Sequence, residues 1–309
     1  MYTTPITRAA SQIPKFSPEI ADRICIYLPR TDLVILTLVS RFFFNIARWR
    51  LMSAITIEPH KIDLCERYIT AIVEHGSKPP LRHMVFDVAV PMYQILYSIS
   101  KACSGENTRS LCVTSSIRFA DWPALSTVFV KHLSAHVPTV KTLQIKPVDS
   151  RFQFALTSAY SSTLVKLTLY SAIARTSFGW SQVAFPCLED ITLVQDHPIS
   201  EKEDSLPLLL AKFAVAPKLK RASIIAVVEG GIFGVYEFLL AFGVGLQLVK
   251  ILGEFFYETP TQRLLPKLLK VTCFHVEATL VHCFFMHSDN GPELLPQLQQ
   301  FVIEGNWKT

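Results

Sequence analysis

One phrase constrains this chain more than any other: an apolar residue, two others, an apolar residue, one other, and a last apolar residue. It occurs at Leu81/Met84/Phe86, Val140/Leu143/Ile145, Leu164/Leu167/Leu169 and Leu188/Ile191/Leu193. It continues at Leu219/Ala222/Ile224, Leu268/Val271/Cys273 and Leu298/Phe301/Ile303. Weaker copies stand at Thr108/Leu111/Val113 and at Leu246/Val249/Ile251, the second also readable with a shift of two. Prolines 80, 138, 186, 217, 266 and 296 stand just ahead of six of these copies. The last two apolar positions alternate with polar neighbours, as in a short strand with one face buried. Helix-like segments lie between copies, at Trp122 to Ala135, Leu206 to Val215, Phe233 to Phe242 and Glu277 to Met286. A strand and a helix recurring every ~20 to 30 residues predict a stacked array, because no unit can bury its apolar face alone.

This pattern resembles a degenerate leucine-rich-repeat array covering residues 80–309. It departs from the family in its uneven intervals and in mostly lacking the Asn or Cys that follows the strand. The other reading is an irregular α/β domain without a true solenoid.

The stretch Phe16 to Trp49 is of another kind. Ser17-Pro18-Glu19 is a helix-start signal: a capping hydroxyl, a proline suited to the first turn, and an acid near the N-terminus. Ile20, Ile24 and Leu28 then share one helix face. Pro29 stops that helix, and Asp32 is the expected cap of a second helix starting at Leu33. From there to Trp49 the chain is almost wholly apolar, with Thr37, Ser40, Arg41, Asn45 and Arg48 confined to a narrow arc. Such a segment predicts wrapping on several sides, by the rest of the chain or by another protein, since so small a hairpin buries too little surface. Ser40 could alternatively end one helix and cap a third.

With Phe16-Ser17-Pro18-Glu19-Ile20, Ile24, Leu28, Asp32-Leu33, Leu36 and Val39-Ser40-Arg41 followed by Phe43 or Phe44, the stretch resembles an F-box. Phe16-Ser17 stands where Leu-Pro is usual, unless Ile13-Pro14 serves instead. The resemblance implies a helical module that docks on the Skp adaptor of a Skp–cullin–F-box ubiquitin ligase. The expected anchoring residues are Phe16, Pro18, Ile20, Ile24, Leu28, Leu33 and Val39. The expected organisation is a flexible N-terminus at 1–12, an F-box module at 13–58, a linker helix at 59–79 and the repeat domain at 80–309. The linker helix is read from Leu64, Tyr68, Ile69 and Ile72 at helical spacing, with Gly76 as its stop. The fold class is thus α+β: an all-α N-terminal module followed by an α/β leucine-rich-repeat-like solenoid.

Composition narrows function by exclusion. Half of the 309 residues are hydrophobic and 18% are charged, which fits a globular chain. The net charge of +5 is weak, and Arg23, Arg30, Arg41, Arg48 and Arg50 are spread over helix faces, so no nucleic-acid partner is expected. Seven cysteines without a Cys-x-x-Cys pair, no glycosylation sequon and no apolar leader predict a reducing compartment, cytoplasm or nucleus. Gly231 to Val249 is nearly long enough to span a bilayer, but Glu237 and its glycines favour a buried helix, a turn and a strand. No membrane partner is expected.

No nucleophile elbow, phosphate loop or dinucleotide fingerprint is present. Gly243-Val244-Gly245 reads as a tight turn. Cys273, His275, His282, Cys283 and His287 are metal-ligand types at unsuitable spacing, with Cys273 expected on an inward strand position. The expectation is no enzyme activity, no metal and no cofactor.

The outward positions of the strands carry the binding hypothesis. They are Thr142, Gln144, Lys146; Lys166, Thr168, Tyr170; Asp190, Thr192; Arg221, Ser223; Lys270, Thr272, Phe274; and Gln300, Glu304. Lys146, Lys166, Tyr170, Asp190 and Arg221 are the expected contacts to a target protein, a mix suited to an acidic or phosphorylated partner. The two resemblances imply a substrate-recognition subunit that reaches cullin through the adaptor. The alternative is a non-catalytic repeat scaffold acting without ubiquitination.

Overall fold

The structure is a computed structural model. It describes residues 17–57, 63, 66–67, 69–70, 82–87, 108–114, 130–131, 133–146, 150–171, 181–196, 205–227, 234–253, 268–277, 281 and 295–305. The chain divides into two compact units, Met1–Ala54 and Ile55–Thr309.

The first unit holds three helices. Helix α1 (Pro18–Tyr27) starts where Ser17 Oγ accepts the Ile20 N–H at 3.4 Å, with Pro18 and Glu19 in the first turn. Helix α2 (Arg30–Val39) begins earlier than expected. Pro29 sits in extended backbone, and its carbonyl takes the N–H groups of Asp32 and Leu33, both at 3.1 Å. Asp32 therefore lies inside the first turn and is not the cap. Ser40 is extended (φ −156°, ψ 155°) and breaks the apolar run. Its Oγ accepts the Phe43 N–H at 3.2 Å, starting α3 (Arg41–Met52). Cys25, Leu33 and Ala47 form the small core, with Leu28, Leu36, Ile46 and Leu51 packed against it. Arg50 ties α3 to α1: Nε donates to Asp22 Oδ1 at 2.6 Å, and Nη2 donates to Oδ2. This bidentate pair is of the stronger kind.

The second unit is built on strands β1 (Ala54–Ile57), β2 (His83–Asp87), β3 (Ser110–Thr114), β4 (Thr142–Ile145) and β5 (Lys166–Tyr170). Further along are β6 (Val183–Ala184), β7 (Asp190–Gln195), β8 (Ala214–Val215) and β9 (Arg221–Ala226). Last come β10 (Leu248–Leu252), β11 (Cys273–Glu277) and β12 (Gln300–Glu304). Ten strands form one parallel sheet, ordered β1-β2-β3-β4-β5-β7-β9-β10-β11-β12, and β6 and β8 pair separately. Between strands lie α4 (Ser150–Tyr160), α5 (Leu206–Phe213) and α6 (Val235–Phe242). Helical residues also occur at 63, 66–67, 69–70, 130–131, 133–136 and 281. The expected stop at Gly76 and the positions Leu64, Tyr68 and Ile72 lie outside the described residues. Each strand of the sheet joins the same edge, and along the strands buried residues alternate with partly exposed ones, which form the open face.

The recurring phrase maps onto two buried rows. Leu111, Leu143, Leu167, Ile191, Ala222, Val249 and Phe274 are in register, and so are Val113, Ile145, Leu169, Leu193, Ile224, Ile251 and Val276. All are at most 2% exposed. The prolines have a turn function. At Phe185-Pro186-Cys187-Leu188, Ala216-Pro217-Lys218-Leu219 and Leu295-Pro296-Gln297-Leu298, the last N–H donates to the first carbonyl. Proline pre-sets the second position of such a turn. Gly243-Val244-Gly245-Leu246 closes in the same way without proline. At the start of β3, β4, β5, β7 and β9 to β12 two consecutive N–H groups converge on one carbonyl of the previous repeat. Arg82, Arg109, Lys141, Val165, Glu189, Lys220, Gln247 and Thr272 accept these bonds. That backbone device, repeated at uneven intervals, is what makes the domain an array.

Helix α4 was not foreseen. The phrase at β11 is Val271/Phe274/Val276, three residues later than expected, so Phe274 is buried and Cys273 faces outward. Of the apolar run from Leu33 to Trp49, only Leu33 and Ala47 are buried in this chain, which leaves covering by another protein as the expectation still open. The 231–249 stretch does resolve into helix α6, a turn and strand β10 over its described part. Among the described residues no helix is long and apolar enough to cross a membrane.

Candidate functional site

Two surfaces stand out, one on each unit. The first is the outside of α1–α3. Small residues and a few medium ones fill the core, so the larger apolar side chains are left outside. Ile20, Ile24, Ile35, Leu38, Val39 and Trp49 are all exposed, Leu38 by 82% and Val39 by 65%. Isolated exposed hydrophobics are ordinary, but a helical unit this rich in them presents the kind of surface that proteins use for docking. Of the expected anchoring residues, Pro18, Ile20, Ile24 and Val39 are exposed. Leu33 is 8% exposed and belongs to the core, and Leu28 is half-buried against it. Phe16 lies outside the described residues.

The second surface is the open face of the sheet from β4 to β9. Register puts Thr142, Lys166, Asp190 and Arg221 in one row, and Gln144, Thr168, Thr192 and Ser223 in the next. Asp190 sits between two cations: Lys166 Nζ at 3.6 Å and Arg221 Nε at 3.3 Å. Both distances run to the same oxygen, Asp190 Oδ2, so the two cations converge on one carboxylate from the strands on either side. The trio keeps one net positive charge. Lys146 follows β4 and is exposed; it opposes the upward push that burial gives the Cys112 thiol on the neighbouring strand.

Tyr170 is held from two directions. The Gln153 amide of α4 donates to its carbonyl at 2.8 Å, and Gln144 Nε2 lies 3.5 Å from its hydroxyl. Alternation placed Lys166, Asp190 and Arg221 in one row, and the register agrees; Tyr170 stands four residues further along β5, opposite Val194, and is not brought to that row. Sequence reasoning missed Gln153, because the helix that carries it was not foreseen.

At the C-terminal end of the sheet, outward Cys273, His275 and Glu277 of β11 lie between Lys250 of β10 and Glu304 of β12. Lys250 Nζ is 2.8 Å from Glu304 Oε1. Of the residues weighed as metal ligands, His282, Cys283 and His287 lie outside the described residues. Among the described residues no group of three or more His, Cys, Asp or Glu side chains is placed to hold a metal ion.

Comparison of the chain with known protein families finds no match, and comparison with curated proteins finds none.

Proposed function

We propose that this chain is a substrate-recognition subunit of a Skp–cullin–F-box ubiquitin ligase, with no active site in that reaction. The helical unit docks on the Skp adaptor, and the open face of the repeat sheet holds a target protein. Ubiquitin transfer would then be promoted by raising the effective concentration of the target near the conjugating enzyme. The observation that carries this reading is the exposed apolar surface of α1–α3. Such a surface on a three-helix unit with a core as small as Cys25, Leu33 and Ala47 calls for a partner. The finer assignment of the second unit to the leucine-rich-repeat class rests on its repeated turn and carbonyl device, and Lys166 and Arg221 in its outward row suit an acidic or phosphorylated target.

The test is co-purification with the adaptor. Leu28 and Leu33 are poor probes because they support the fold; Ile24→Asp with Val39→Asp alters exposed positions only. Wild type should bring down stoichiometric adaptor and cullin, and the folded double variant should bring down neither. Soluble, folded wild type that captures no adaptor would overturn the reading. Adaptor without cullin would favour the scaffold alternative.

A further inference from the structure

On the open face at β10–β12 a thiol, an imidazole and a carboxylate are lined up across two strands. Cys273 Sγ lies 3.2 Å from His275 Nε2, and His275 Nδ1 lies 3.3 Å from Glu304 Oε1. Cys273 and His275 meet because they are two apart on one strand and so share a face. Glu304 reaches them from the next strand, where it opposes Glu277 in register. Lys250 fixes the carboxylate from the far side; it is the foremost cause, with His275 second, holding the Glu304 carboxyl below its ordinary range. The remaining charged group on this face of β11, Glu277, is engaged by the Gly253 N–H. A carboxylate at Nδ1 selects the tautomer whose Nε2 lone pair faces the sulfur. The thiol and imidazole are each partly open to solvent. The sulfur also lies 3.5 Å from Gln300 Oε1, which can accept its proton's hydrogen bond but cannot remove the proton.

We propose that Cys273 is a reactive thiol, with His275 as its base and Glu304 as the positioning residue, that forms mixed disulfides with small disulfides. His275 Nε2 takes the thiol proton. The Cys273 thiolate attacks one sulfur of the disulfide, the S–S bond breaks, and a new bond joins Cys273 to the attacked half. The other half leaves as a thiolate and takes the proton from the imidazolium. No outside oxidant is needed, since the small disulfide itself is reduced as Cys273 is oxidised. Exchange proceeds in line at sulfur and needs no oxyanion pocket, so an open sheet face suffices. The site is independent of the docking proposal: it concerns the last strands of the second unit and a different chemistry.

The full chain is incubated with bis(2-hydroxyethyl) disulfide, and adducts are mapped by peptide mass spectrometry over time and pH. Cys112 and Cys187, both half-buried, are internal references. Near neutral pH Cys273 should react fastest. His275→Asn should slow it roughly tenfold, because a thiol without a base is only a few per cent thiolate at neutral pH. That gap should close at alkaline pH, where thiolate forms unaided. Glu304→Gln should give a smaller slowing with a displaced pH profile, an effect that lost packing alone would not produce. Cys273 reacting no faster than Cys112 and Cys187 would overturn the proposal. So would a His275→Asn profile that superimposes on wild type.

Discussion

In the repeat unit Leu143, Leu167 and Val249 are sealed from water, whereas in the helical unit Ile35, Leu38 and Val39 stand in it. Both regions are rich in aliphatic residues; what differs is the supply of neighbours. Each inner strand has another repeat on either side, and its inward residues are covered by both. Three short helices have no such stack, and their core closes over Cys25, Leu33 and Ala47 with most large side chains left outside. The last strand repeats the lesson inside the array: Phe301 and Ile303 continue the buried rows but are 39% and 38% exposed, having a neighbouring strand on one side only.

The largest effect should come from opening a central row. Leu167→Ala removes a fully buried side chain between Leu143 and Ile191 and should destabilise the repeat unit by about 2–5 kcal/mol. Phe301→Ala at the exposed end should cost clearly less. Urea unfolding of the two variants checks this, and equal losses would break the comparison between inner and terminal strands.

Next in size is a backbone constraint. Gly253 follows β10 at φ +98°, and a Cβ there would collide with the carbonyl oxygen of Ala226 at the end of β9. Gly253→Ala should cost about 1–3 kcal/mol through strain at a position only glycine accepts. Thermal unfolding measures it, and no loss would mean that the two repeats are not held this closely.

The buried rows were legible because stacking demands an apolar residue at each inward position, and Leu164/Leu167/Leu169 states that demand plainly. The β11 register was not legible, because Pro266-Lys267-Leu268 imitates the proline that precedes a strand phrase. In the structure Leu268 opens the turn, its carbonyl accepting from Val271, and the strand phrase starts at Val271. Helix α4 hid for a different reason. Its buried side includes Gln153 and Thr157, satisfied by Tyr170 O and by the Gln153 carbonyl, so no clean apolar stripe marks it. On the open face, alternation sufficed to place Lys166 beside Asp190. Cys273 and His275 share a face by local spacing, but Glu304 joins them only through the register of β12 against β11, which no local pattern carries.

A smaller gain is expected where the repeat unit is imperfect. Tyr160 is buried at the end of α4, and among the described residues its hydroxyl has no hydrogen-bond partner. Tyr160→Phe should raise stability by up to about 1 kcal/mol, because a buried unsatisfied hydroxyl is removed at nearly constant shape. Burial pushes the phenol upward, so the fold favours the neutral form. That contribution is complete below the ordinary tyrosine range and is lost as pH rises through and above it. Alkaline unfolding should therefore move to higher pH in the variant, and an unchanged alkaline limb would mean that this phenol is not sealed as described.

The smallest effect on stability is the sharpest test of the comparison. Leu38 is 82% exposed on α2 and Val39 is 65% exposed beside it. If these side chains serve only an absent partner, Leu38→Ser should change the unfolding free energy by no more than about 0.5 kcal/mol, as for ordinary surface positions. Self-association of the purified chain should fall, because an apolar group is withdrawn from water-facing surface. A loss of 2 kcal/mol or so, the cost expected of a core leucine, would instead show that the helical unit already covers this face within the folded chain. The exposed surface would then lose its claim as a docking site, and the two units would no longer differ in how they satisfy their apolar residues.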